Sequence, residues 1–321
     1  MDPIAAFDEE VAALSKSVEG EMLPADTDPP DLLYHYTSID GLLGMVKDKM
    51  IYATDFRLVN DSSELAYAQG LIQDHIEKAH YPAVAEQLLN ACFVAGLLVT
   101  TAVSMHYLTC FCAEGDLLSM WRGYAGGRGM GYALGFRREE LANMAYCLPK
   151  GGQTVLPVEY RRERQNELVA KLLDGLASAL LAATAGSCVN ARAICDRIMT
   201  HEMARDAHQL LARMMYTFKN PVFKEEREWR LVVRSHLAFG PGSGSLINEF
   251  RADKGRLVPY VKVPLECLGD DSEGLRSIVP QEIVYGPTLD PIVTDHALRA
   301  LLIQEGLSGC TFRKSEAPFR A

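Results

Sequence analysis

Four local clusters in this 321-residue chain combine polar and apolar side chains in ways that could support chemistry. The first is Tyr34-His35-Tyr36-Thr37, where a titratable ring sits between two aromatic residues at the end of a β-forming run. Strand alternation puts His35 and Thr37 on one face and Tyr34 and Tyr36 on the other. Taken alone, the cluster reads more simply as a core histidine with one ring nitrogen satisfied. In the second cluster, Asn60-Asp61-Ser62-Ser63-Glu64, an acid at the N-cap position and Glu64 three residues on have capping-box spacing, and helix capping accounts for them adequately. The third is Met120-Trp121-Arg122-Gly123-Tyr124. Rings stack on bases and a guanidinium binds phosphate in a fork, so this group suits an aromatic, phosphate-bearing ligand. A buried aromatic helix face with a solvated Arg122 fits the same residues.

The fourth cluster, Phe223 to Leu231 (FKEEREWRL), carries the most information. A strand from Glu228 to Val233 places Glu228, Arg230 and Val232 on one face and Trp229, Leu231 and Val233 on the other. The Trp229 side is expected in the core, with Glu228 and Arg230 projecting together. As a solvated edge-strand ion pair they would contribute little. A carboxylate at the first residue of a strand, with an aromatic residue and a histidine elsewhere, invites a glycosyl-transfer reading.

Other chemistries lack their spacing. His201-Glu202 has no second histidine at the zinc-protease interval, so a metal hydrolase built on His201, Glu202, Asp206 and His208 is the weaker alternative, and no bound metal is expected. Cys110 and Cys112 have no partner pair at zinc-finger spacing and read as core residues. The run Gly126 to Gly131 follows a helix and precedes a strand, the reverse of a dinucleotide fingerprint, and reads as a flexible turn.

The elements that must position these clusters follow from periodicity. Residues 1–30 show a short amphipathic pattern (Ile4, Phe7, Val11, Leu14) and then PADTDPPD, whose prolines forbid continued helix, and are expected to form an acidic arm. From residue 31 the pattern runs strand (LLYHYT), helix, strand (Met50 to Phe56), then two long helices before Tyr107. A strand over 107–113, a helix bearing Trp121, the strand GYALGF and a strand over 154–160 come next. Residues 163–216 read as a helical insertion broken near Gly186. Strands at 228–233, 257–263, 282–285 and 310–314, with a helix over 294–305, complete an α+β fold.

Composition narrows the class further. The formal charge is -10, but residues 1–30 hold eight acids against Lys16, leaving -3 for the remainder. Residues 160–234 carry 13 Lys/Arg against 9 Asp/Glu, enough to attract a small anion and too few for a broad nucleic-acid surface. Eight Cys without a leader-like start suggest a reducing, cytoplasmic setting, and no apolar run approaches the roughly 20 residues that span a bilayer.

Five segments in order, YHYTSIDGLLGM, ATDFRLVNDSSEL, CFCAEGDLLSMWRGYAGGRGMGYALGF, FKEEREWRLVV and IVYGP, resemble the bacterial domain-of-unknown-function 2971 family. That family is distantly similar to ADP-ribosyltransferases of the His-Tyr-Glu type. The resemblance implies a split-sheet core over 31–321 that binds NAD as substrate and cuts its nicotinamide-ribose bond. It implies His35 on the adenosine-side ribose and Glu228 as the late-strand catalytic carboxylate, with either Tyr52 or Tyr124 as the middle tyrosine. Tyr36, Thr37, Trp121, Arg122 and Arg230 are then expected near NAD, and Asn60, Asp61 and Glu64 along the cleft or against an acceptor. Such an enzyme would serve as a toxin, effector or phage-defence component. The alternative is a non-catalytic nucleotide or nucleic-acid binding module. A partner protein could dock on the helical insertion or be met by the acidic arm.

Overall fold

Amphipathic helices that lie far apart in the sequence gather into one unit of this protein, and the β-forming runs gather into another. A computed structural model describes residues 3–22, 29–59, 62–87, 89–90, 104–124, 131–144, 155–184, 204–236, 248–253, 255–268, 274–287 and 290–318. In chain order the elements are α1 (Pro3–Glu21), β1 (Leu32–Thr37), α2 (Ile39–Lys47), β2 (Met50–Asp55), α3 (Ser62–Lys78), β3 (Ser104–Cys112), α4 (Leu118–Tyr124), β4 (Tyr132–Arg137), α5 (Arg138–Ala142) and β5 (Val155–Pro157). There follow α6 (Arg162–Thr184), α7 (Ala204–Thr217), β6 (Glu228–His236), β7 (Asn248–Asp253), β8 (Arg256–Pro264), β9 (Glu266–Leu268), β10 (Leu275–Ser277), β11 (Glu282–Tyr285), α8 (Pro291–Gln304) and β12 (Thr311–Lys314). The mixture of helix and sheet is α+β.

The helical unit comprises Met1–Thr27, Arg57–Met105 and Val158–Val222. Residues 1–30, expected as an arm, instead supply a packed helix: α1 buries Phe7, Val11 and Val18. At Gly175 of α6 an added Cβ would lie 2.6 Å from Leu14, so glycine is what lets α1 and α6 approach. A mid-helix glycine costs about 1 kcal/mol relative to alanine, which this contact offsets. The acids of α1 meet the basic stretch of the chain, with Arg164 3.1 Å from Glu21, Lys171 also on Glu21, and Arg213 on Glu19. The two opposite charge excesses visible in the sequence therefore meet within one unit. α3 buries Ala68, Leu71, Ile72 and Ile76, and its Tyr67 hydroxyl donates to Gln165 of α6 at 2.7 Å.

The second unit comprises Asp28–Phe56, His106–Pro157 and Phe223–Ala321 and holds a ten-stranded sheet. Its main path runs β12-β11-β4-β1-β3-β2-β8-β7, with β6 paired to both β3 and β5. A separate antiparallel pair joins β9 to β10. Most neighbours are antiparallel; β11 and β12 are parallel, with α8 in the crossover between them. Helix α2 is capped as its sequence suggests, Ser38 accepting from the Gly41 N–H. Helix α8 begins at Pro291, earlier than the expected Thr294, because the Asp290 side chain caps it through the Val293 N–H at 3.0 Å and proline suits the first helical turn.

Four elements were not foreseen: β7, β9, β10 and α5 are short or polar and offer no clear period. The glycine turn over 126–130, most of the second helix expected before Tyr107, and the break near Gly186 lie outside the described residues. Among the described residues, no helix is long and apolar enough to cross a membrane, and no group of three His, Cys, Asp or Glu could hold a metal.

Candidate active site

The sheet branches at β3. Strand β1 pairs with it through Tyr34 and Cys112, and β2 pairs with it through Thr54 and Leu108 and through Asp55 and Tyr107. Between those contact points side chains replace ladder bonds. His35 Nδ1 lies 2.9 Å from the Cys110 carbonyl, and Thr109 Oγ1 donates to the Tyr52 carbonyl at 3.1 Å. Without them, two backbone acceptors in the fork between β1 and β2 would be left to pair elsewhere. The carbonyl can only accept, so it fixes the proton on Nδ1 and leaves the Nε2 lone pair as an acceptor. The ring packs edge-on against Phe111 with centroids 5.7 Å apart.

Burial lowers the His35 pKa below its ordinary 6.5, against the opposing pull of the Cys110 carbonyl. A histidine depressed in the folded state binds fewer protons than in the unfolded chain. Its neutral form therefore contributes stability above about pH 6.5 that is lost as pH falls toward the folded value. Nitrogen-detected NMR at pH 6.5 is expected to find His35 neutral, with a protonated Nδ1 and a bare Nε2. A half-protonated ring at that pH would contradict the assignment.

The opposite face of β1 is closed. Tyr36 is buried, its ring meeting Trp121 at 4.8 Å, and its hydroxyl donates to the Glu114 carbonyl and accepts from the Leu117 N–H, each at 2.9 Å. Trp121 is 0% exposed, and its indole N–H donates to Asp116 at 2.7 Å. This corrects the expectation that Tyr36 and Trp121 contact a cofactor: neither ring has an open face. They belong with Cys112, Met120, Ala133 and Val284 to one core cluster, and Tyr124 packs half-buried at its edge. Burial alone would raise the Asp116 pKa, but hydrogen bonds from Ser315, Trp121 and the Glu316 N–H, with Arg313 nearby, hold it below the usual carboxylate range. Tyr34 lies between Gly115 and Gly135, where added Cβ atoms would stand 2.5 and 2.7 Å from its ring, and donates to Glu282 at 2.8 Å.

Glu228 and Arg230 depart from expectation. They do not project from an edge; they are 5% and 2% exposed, while Trp229 is only partly buried. Because β6 has β3 and β5 as neighbours it is not an edge strand, and Val232 beside the ion pair and Leu231 and Val233 on the other face are buried too. The carboxylate is held in a bidentate fork, Arg230 Nε on Oε1 at 2.8 Å and Nη2 on Oε2 at 2.9 Å. Just before Glu228, the Arg227 carbonyl accepts from the Ala113 N–H at 3.0 Å. His35 and Glu228 are therefore carried by two strands that both adjoin the last residues of β3.

The other predicted site residues are scattered. Thr54 and Leu108 face one another, as do Tyr34 and Cys112, so the register puts Tyr52 with Tyr34 and Tyr36, on the face away from His35. Tyr52 instead sits 5.6 Å from Tyr260, with the Lys262 ammonium 5.8 Å from its ring. Arg122 is exposed on α4 and Thr37 is half-buried at the end of β1. Glu64 belongs to the helical unit, where it pairs with the buried Lys219 at 2.9 Å. Asn60, Asp61, His201 and Glu202 lie outside the described residues, as do the side chains of Asp206 and His208. A cavity of about 440 Å³, bordered by Arg137, Glu140, Arg276 and Gln281, touches none of the predicted site residues.

Sequence reasoning missed the Cys110 carbonyl and Thr109, since backbone partners leave no residue-type signature. It also missed Asp116, whose place just before α4 was a legible helix-start signal. The reach of Asp116 to Ser315 and Glu316, some 200 positions away, was not legible.

Comparison with known proteins adds one finding. The model of a family described as Protein of unknown function (DUF2971) matches residues 120–231, which supports the resemblance to that family. The matched stretch contains Trp121, Arg122, Tyr124, Glu228 and Arg230 and excludes His35. No curated protein and no solved structure matches the chain.

Proposed function

We propose that the sheet-bearing unit binds NAD as substrate and cleaves its nicotinamide-ribose bond, passing ADP-ribose to an acceptor or to water. The observation that carries this reading is the fork at β3. There β1 and β2 diverge as in a split sheet, and a neutral His35, its tautomer fixed by the Cys110 carbonyl, keeps Nε2 available to accept from a ribose hydroxyl. Glu228 supplies the negative charge. Breaking the glycosidic bond builds an oxocarbenium-like centre, and a carboxylate holding a nearby ribose hydroxyl stabilises it. The Arg230 fork takes one lone pair from each oxygen and orients the carboxylate. The exposed Arg122 is available to a phosphate. With Trp121 and Tyr36 enclosed, the fork residues rather than an aromatic clamp hold the ligand.

A second reading has its own support. A guanidinium that neutralises Glu228 weakens its field at a developing cation, which suits a module that holds a nucleotide without cutting it.

Calorimetric titration with NAD is expected to show binding that His35→Ala weakens by about tenfold, the loss of one well-aligned hydrogen bond. Equal affinity in the variant, or no binding to the wild type, would remove the fork from the account.

A further inference from the structure

Among the described residues β7 pairs with a single strand, β8, and so ends the sheet. Such an edge presents a row of backbone donors and acceptors to any strand that can match it. The register of the β7–β8 hairpin sets which ones. Phe250 stands opposite Pro259, which has no N–H, so this is a pair of the non-bonded kind. The bonded pairs to β8 are then Glu249 with Tyr260 and Arg251 with Val258. Phe250 and Ala252 therefore turn their N–H and C=O groups outward to the free edge. Side chains alternate with them. Phe250 is 58% exposed and Leu257, on the same face, is 70% exposed. Glu249 and Arg251 share the other face, Glu249 2.9 Å from Lys262 and Arg251 over the Tyr260 ring.

We propose that the free edge of β7 pairs antiparallel with β7 of a second copy of this chain, about a two-fold axis at Phe250, so that each Glu249 faces Arg251 of the other copy. A two-fold axis normal to the sheet keeps each side chain on its own face only if it passes through a residue position. Three central positions satisfy this. An axis at Glu249 would set Glu249 against itself, and one at Arg251 would set Arg251 against itself, both repulsive. An axis at Phe250 creates two Glu–Arg pairs and one Phe–Phe pair. It lets the two Phe250 residues exchange both backbone bonds, and it gathers Phe250 and Leu257 of both copies into one apolar strip. Charge thus selects the register that the backbone phase allows, and the occupant that fits is the chain itself.

Sedimentation velocity across a dilution series tests this. Wild type is expected to show a concentration-dependent dimer. Glu249→Arg and Arg251→Glu, each alone, are expected to weaken self-association by about tenfold or more, since each creates two like-charge contacts. Mixed together they are expected to form a heterodimer at near wild-type strength, a rescue that misfolded variants could not show. Ala252→Pro, which removes an outward N–H and leaves the β8 ladder intact, is also expected to give monomer. A wild type that stays monomeric at every concentration, a dimer indifferent to Ala252→Pro, or charge variants that do not recombine would overturn the proposal.

Discussion

Replacing Arg230 by methionine is expected to destabilise the protein by about 3–5 kcal/mol, because it withdraws both hydrogen bonds and the neutralising charge from a carboxylate that remains buried. Glu228 and Arg230 are 5% and 2% exposed, so water screens neither group. The expected cost is not the worth of the pair. Taking both ions out of water is itself expensive, and a well-packed apolar pair of similar volume often matches or exceeds an ion pair in stability. The double variant Glu228→Leu with Arg230→Met is therefore expected to recover most of the loss, which urea midpoints for the four proteins of the cycle would measure. A single Arg230→Met that unfolds at the wild-type midpoint would mean that water or a rearranged neighbour reaches the carboxylate. The cycle also separates stability from function. If the pair is structural, the double variant keeps nucleotide binding and any turnover; if Glu228 acts on substrate, the double variant folds and turnover is gone.

How much of this was legible in the sequence differs between elements. The alternation of His35 and Thr37 against Tyr34 and Tyr36 was read correctly, because a strand has a strict period of two and β1 follows it. Trp121 as a buried aromatic helix face was one of two open readings, and the structure has that one; its spacing with Met120 and Tyr124 already suggested a core. The pairing of Glu228 with Arg230 followed from the same period. Its burial did not, since whether β6 lies at an edge depends on β5 and β3, which meet it from distant parts of the chain. The acidic first residues misled for a related reason. Their charge suggested a solvated arm, and only the basic side chains of α6 and α7, more than 140 positions later, show what they pair with. Residue type reports local preference well; it reports poorly on which distant partner will neutralise a charge or cover a face. The branch at β3 was the least legible feature, because the groups that stabilise it are the carbonyls of Cys110 and Tyr52.

The most direct test of the proposed chemistry is nicotinamide release. Purified protein incubated with NAD, with and without candidate acceptors, is expected to liberate nicotinamide. Glu228→Gln, its folding checked by urea midpoint because it leaves the buried Arg230 without its counter-charge, is expected to slow release by about a hundredfold or more in the folded protein, because the amide loses the charge that steadies the developing cation. Persistent NAD binding with no nicotinamide under any condition, or undiminished release from Glu228→Gln, would contradict the assignment of Glu228 as the catalytic group.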